Sequence, residues 1–180
     1  MDNIDYLYES AIFYKEHLVN RRFEIVIKRK HEERVLEVLF LPMHFYHLIG
    51  LHKLSDLPFL KRNVTNIYKE ILSKKITYSD IEKSDYINEI YNRLVYHEEM
   101  LNILNADSLF FRALHGRFKG ISADCVLTKS IDDSNYTFLF FKQSQDVYIP
   151  CSFFTRSDQI EYTKEGTRWQ ILSITEISKR

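Results

Sequence analysis

The sequence predicts an α+β domain, with N-terminal helices and an early hairpin packed on a C-terminal antiparallel four-stranded meander. Three observations carry that expectation. Apolar residues up to Leu104 recur mostly at helical spacing, whereas beyond it they alternate. Turn-forming clusters at Asp132-Asp133-Ser134-Asn135 and Gln143-Ser144-Gln145-Asp146 punctuate the second half. Glycine and proline together number only seven in 180 residues, so no linker or low-complexity segment divides the chain. One domain spanning 1–180 follows, with an N-terminal helix over 1–19, a mainly helical part with the hairpin over 20–105, and the sheet over 118–175.

The elements are justified in order. Ile4, Leu7, Tyr8, Ala11, Ile12, Tyr14, Leu18 and Val19 form a helical stripe, with Asp2 or Asn3 available as its cap. Phe23 to Lys28 alternates as a half-buried strand, Lys28 to Glu33 is a charged turn, and Val35 to Phe40 reads as the second strand. A helix over Val35 to Phe40 is the alternative. Pro42 suits the first turn of a helix over 42–54. Its wheel would set His44, His47 and His52 beside Phe45, Leu48, Leu51 and Leu54, with Tyr46, Gly50 and Lys53 opposite. Leu57-Pro58-Phe59 is a break. Residues 63–73 form a helix, and Ser84-Asp85 opens a longer one to about Leu104 that turns Glu98 toward an apolar stripe. Lys119 to Leu127, Tyr136 to Lys142, Val147 to Phe154 and Arg168 to Ile174 are the four strands. Pro150 within the third demands an edge or a bulge.

Composition excludes several function classes. Apolar residues are 45% and charged residues 28%, a globular balance. The formal net charge is zero, which argues against binding duplex DNA through bulk charge but leaves room for a local basic patch. Twelve Tyr and thirteen Phe fit core and strand filling better than a base-stacking surface. Cys125 and Cys151 are isolated in strand-like runs and read as buried free thiols of a reducing compartment. No apolar window approaches a membrane span. With no secretory pattern after Met-Asp-Asn-Ile-Asp, a cytoplasmic protein is expected.

The chemistry concentrates in Phe45 to Leu54, where His47, His52 and Lys53 interrupt an apolar run just after His44. Three of the seven histidines fall within nine positions. A histidine on an apolar stripe is more often a satisfied core residue than a catalyst, but three together weaken that explanation. Zinc held by His44, His47 and His52 or Asp56 is one rival, although HExxH and a nearby cysteine are missing. Glycine-rich phosphate loops and a GxSxG elbow are absent. Metal-free RNA cleavage uses what is present. A 2′-hydroxyl must lose a proton, a 5′-oxygen must gain one, and phosphoryl charge must be neutralised. His47 and His52 fit the proton steps and Lys53 the charge. Lys142, Ser152, Thr155 and Arg156, at strand ends, are candidate phosphate contacts. Glu98 is a weaker candidate base, and each of the sheet residues also reads as a solvated edge group.

The runs His47-Leu48-Ile49-Gly50-Leu51-His52-Lys53-Leu54, Ile121-Ser122-Ala123-Asp124 and Ile149-Pro150-Cys151-Ser152-Phe153-Phe154 resemble the fourth class of phage-associated barnase–EndoU–colicin E5/D–RelE-like nuclease domains. The likeness extends from about Phe23 to Ile174. It implies a barnase/EndoU/RelE-like fold of helices on an antiparallel sheet, and action on RNA, tRNA included, without metal or other cofactor. A toxin or phage role with an immunity or antitoxin partner would accompany it. The resemblance places His47, His52 and Lys53 in the catalytic region. Ser152 and its neighbours fall in the strand motif, and Asp124 at an acidic position able to orient a histidine or bind a base edge. A nuclease-like fold that no longer cleaves, and binds protein or RNA instead, is the alternative.

Overall fold

The computed structural model describes residues 4–112, 118, 121–157, 160–164 and 166–178. Its strands are β1 (Arg22–Arg29), β2 (Glu32–Leu39), β3 (Ser108–Arg112), β4 (Cys125–Ser130), β5 (Tyr136–Ser144), β6 (Val147–Arg156) and β7 (Gly166–Ile177). They close into one barrel in the order β1-β2-β6-β5-β4-β3-β7. Every neighbouring pair is antiparallel except β2 and β6, which run parallel and meet at Val38 and Tyr148.

The α+β class holds, but the four-stranded meander is corrected to this closed, mixed barrel of seven strands. The antiparallel run of β4, β5 and β6 is present, but the strand expected over Lys119 to Leu127 is Cys125–Ser130, and Lys119 and Gly120 lie outside the described residues. The early hairpin also forms, with Arg22 opposite Leu39 and Arg29 opposite Glu32, but it is part of the sheet. Twelve-residue β7 closes the ring, because Gln170 pairs with both Lys28 and Ser108. Closure removes the free edges that a meander would expose. The sequence hid β3 because its two faces are both covered: Phe110 packs on one hydrophobic cluster and Phe111 on the other. No alternation survives in such a strand.

Pro150 sits at a register shift. Phe140 pairs with Ser152 and Phe141 with Pro150, so Cys151 is the extra residue of a bulge in β6. Cys125 is buried, but Cys151 is only half-buried, against the expectation for both thiols.

The helices are α1 (Tyr6–His17), α2 (Phe45–Leu48), α3 (Val64–Leu72), α4 (Tyr78–Ile81), α5 (Tyr91–Val95), α6 (Glu99–Asn102) and α7 (Ile160–Thr163). Asp2 and Asn3 lie outside the described residues. The cap of α1 is Asp5, whose carboxylate accepts from the N–H of Tyr8 and of Tyr78, each at 3.0 Å. The helix expected over 63–73 is α3, capped by Asn63.

Two long helices are corrected. Residues 42–54 break into a 3₁₀ turn at Pro42–His44, α2, and a second 3₁₀ turn at Leu51–Lys53, because Gly50 turns to φ +87°. The wheel drawn for that helix therefore fails: Tyr46 is buried, while His47 and His52 are exposed. Residues 84–104 break similarly into a 3₁₀ turn at Ile87–Glu89, then α5, α6 and a turn at Ile103–Asn105. Glu98 is exposed between α5 and α6 rather than turned inward.

One large core joins the helices to one barrel face through Tyr14, Phe40, Phe45, Leu127, Phe141 and Phe153. A smaller one, with Val126, Phe138, Phe140, Phe154 and Tyr162, covers the other face of β4, β5 and β6. Strand β5 serves both, sending Leu139 and Phe141 one way and Phe138 and Phe140 the other. The abundant phenylalanines are largely this double filling.

Candidate active site

Gly50 shapes one wall of the site. An added Cβ there would meet Ile90 Cγ2 at 2.9 Å and Arg93 Cδ at 3.1 Å, so both backbone angle and space require glycine. The left-handed turn reverses the chain after α2 and folds His52 back beside His47. Their ring centroids lie 5.1 Å apart with the planes inclined by 44°. Lys53 follows, its Nζ bonded to Glu89 Oε2 at 3.1 Å.

The facing wall is β6. Its bulge at Cys151 re-aims the strand where Ser152, Thr155 and Arg156 follow. Between the walls lies a cleft of about 370 Å³. Six of the residues singled out from sequence, His47, His52, Lys53, Ser152, Thr155 and Arg156, line it together. Two do not line it. Asp124 accepts from Arg112 Nη2 at 3.3 Å and from the Gln143 N–H at 2.8 Å, a latch across β3, β4 and β5. Lys142 is exposed on β5, opposite Ile149.

Sequence reasoning missed Arg93, Glu89, Asn88, Asn92 and Tyr162, which line it too, alongside Ile121, Cys151 and Phe154. Arg93 had a signal. It stands in the apolar stripe between Ile90 and Leu94, where an unremarked arginine must either reach solvent or be held. It is held: only 5% exposed, with Nη1 bonded to the Leu48 carbonyl at 3.2 Å and the guanidinium 5.6 Å from the Phe154 ring centre. Among the described lining residues Glu89 is the one carboxylate, against Lys53, Arg93, Arg156 and two imidazoles. A chain with no net charge thus carries a locally basic cleft.

The imidazoles differ. Burial lowers the His47 pKa. His52 is lowered to about 4, first by burial, then by His47, Arg93 and Lys53, with Glu89 opposing. Both are neutral at physiological pH in the free protein, and His47 is the easier of the two to protonate. His44 stands apart. It is buried, its Nδ1 accepts the Leu41 N–H at 3.1 Å, and burial followed by His47 lowers it to about 4. The zinc set imagined around it therefore does not assemble, and among the described residues no group of three His, Cys, Asp or Glu could hold a metal ion. Asp56, the other imagined ligand, is bonded to Ser84 Oγ at 2.6 Å.

A sequence model of a protein family matches residues 6–179, nearly the whole chain. The chain belongs to the phage-Barnase-EndoU-ColicinE5/D-RelE like nuclease4 family. The short motifs in order had pointed to that class, and the match extends over the helices, the barrel and both walls of the cleft. No curated protein and no solved structure matches the chain. Among the described residues, no helix of this nuclease-family domain is long and apolar enough to cross a membrane.

Proposed function

We propose that this nuclease-family domain is a metal-independent endoribonuclease acting by histidine acid–base chemistry. The observation that carries the proposal is the pair of exposed imidazoles, 5.1 Å between centroids, on a cation-lined cleft. His52, the more strongly depressed of the two, is neutral and takes the proton of the 2′-hydroxyl as that oxygen attacks phosphorus. His47, protonated as the bound phosphodiester anion favours its imidazolium, gives its proton to the departing 5′-oxygen. The bond to that oxygen breaks as the new one forms, leaving a 2′,3′-cyclic phosphate and a 5′-hydroxyl. Lys53 and Arg156 neutralise charge on the phosphoryl oxygens, with the hydroxyl of Ser152 as a further contact. Local rather than net charge supplies the attraction for RNA.

The test is cleavage of a structured RNA panel, tRNA included, in the presence of a chelator. His47→Ala and His52→Ala should each abolish cleavage while retaining the circular dichroism of the parent. A 2′-deoxy substitution at the cut site should block the reaction. Full activity in both variants would remove the mechanism, and a wild type that binds RNA without turnover would mark a nuclease fold serving as a binding module.

A further inference from the structure

We infer that Arg93 and Arg156 form a preformed receptor for one phosphate group of the RNA backbone. This deepens, and rests on, the nuclease reading of the same cleft. Arg93 is a nearly buried cation whose salt-bridge partner is absent among the described residues, and its Nε is buried without a hydrogen-bond partner. Nη1 is committed to backbone carbonyls of α2, at 3.2 Å to Leu48 and 3.5 Å to His47, which fixes the side chain in place.

Arg156, exposed on the β6 wall, is close enough that its charge, after burial, helps lower the Arg93 pKa to about 10. Two guanidiniums held near each other in a partly desolvated cleft repel, and an unpaired buried charge is strongly unfavourable. Both conditions are relieved by one anion. Arginine forks match phosphate oxygens in pairs. Glu89, the one carboxylate among the described lining residues, is bonded to Lys53 and only partly offsets the positive charge around Arg93. Arg93 also ties the receptor to the chemistry. The same group that would hold the anion hydrogen-bonds the His47 carbonyl, so phosphate and imidazole are registered by one side chain.

Calorimetric titration with inorganic phosphate and with a 3′-mononucleotide tests this. Both should bind the wild type, and the His47→Ala/His52→Ala double variant should bind them within about threefold of it. Arg156→Gln, at an exposed position that does not endanger folding, should weaken binding by at least about tenfold. Arg93→Lys, which keeps one charge but loses the fork, should do so too. If RNA is cleaved, Arg156→Gln should raise KM more than it lowers kcat. Absence of phosphate binding by the wild type, or unchanged affinity in Arg156→Gln, overturns the receptor. Phosphate binding that follows the arginines in a protein that cleaves no RNA keeps the receptor and ends the nuclease mechanism. Cleavage with phosphate affinity indifferent to both arginines does the reverse.

Discussion

His44 and the His47–His52 pair come from one stretch of nine residues, yet the fold gives them opposite environments. His44 is buried at the end of the Pro42 turn, where its Nδ1 accepts a backbone N–H and its ring closes the start of α2. His47 and His52 open onto a cleft and touch each other. Residue type and local hydrophobicity do not separate them; backbone does. A continuous helix would have laid all three along one stripe, and the two 3₁₀ turns either side of α2 divide them instead.

The largest effect should expose that division directly. Positioned acid–base groups contribute about 10²- to 10⁴-fold in rate. His47→Ala and His52→Ala should each lower RNA cleavage by that factor, with urea midpoints near the parent value. His44→Ala should reverse the pattern, keeping activity per folded molecule while losing about 1–3 kcal/mol of stability from a broken buried hydrogen bond. Comparable activity loss in all three would mean that the cleft depends on His44 as well.

The pH dependence of folding sharpens the contrast. His44 has its folded pKa at about 4, below the ordinary 6.5, so the unfolded chain binds the proton more readily. Its contribution is complete above about pH 6.5 and declines as pH falls toward 4. The loss amounts to about 3 kcal/mol below that window. The cleft histidines shift in the same direction, so the informative quantity is the difference between wild type and His44→Asn, whose side chain can accept the Leu41 N–H but cannot charge. Urea unfolding at pH 7 and pH 4.5 measures it, and a difference that does not change with pH would place the titrating group elsewhere.

These environments also show what was legible in the sequence. Alternation and turn residues located β1, β2, β5 and β6, because each keeps a period of two or ends at a recognisable turn. The family-bearing motifs located both walls of the cleft, since they are short and local. What escaped needed tertiary information. β3 carries Phe110 and Phe111 into two different cores, so its pattern is unreadable without both. The helical stripe over 84–104 is satisfied by short turns as well as by one long helix, because the apolar residues meet the core either way. Arg93 stands between Ile90 and Leu94 in that stripe, but what holds it, the α2 carbonyls, comes from a distant part of the sequence.

Gly50→Ala should act on the backbone break itself. A left-handed non-glycine residue and a Cβ pressed against Ile90 together should lower stability by about 2 kcal/mol. The strain falls at the turn that brings His52 to His47, so cleavage should fall more than stability predicts. Chemical denaturation and single-turnover cleavage of the folded fraction separate the two. A variant that loses stability but keeps its full rate would show that the imidazole spacing does not depend on this turn.

The smallest effect concerns Glu89, the one carboxylate among the described lining residues. Glu89 holds Lys53 at 3.1 Å, and its side chain is half exposed, so the ion pair itself is worth little to folding. Its effect on the cleft is electrostatic: it cancels part of the positive potential and opposes the lowering of the His52 pKa. Glu89→Gln keeps the shape, frees Lys53 and removes that opposition. Phosphate affinity should rise a few-fold at low salt and return toward the parent value as salt screens the cleft. The acidic limb of the pH–rate profile, where the base His52 becomes protonated, should move to lower pH, because the carboxylate no longer stabilises its imidazolium. Opposite shifts, with weaker phosphate binding and a limb moving up, would mean that Glu89 orients Lys53 for the substrate rather than restraining it, and the cation facing the histidines would then be a positioned pair.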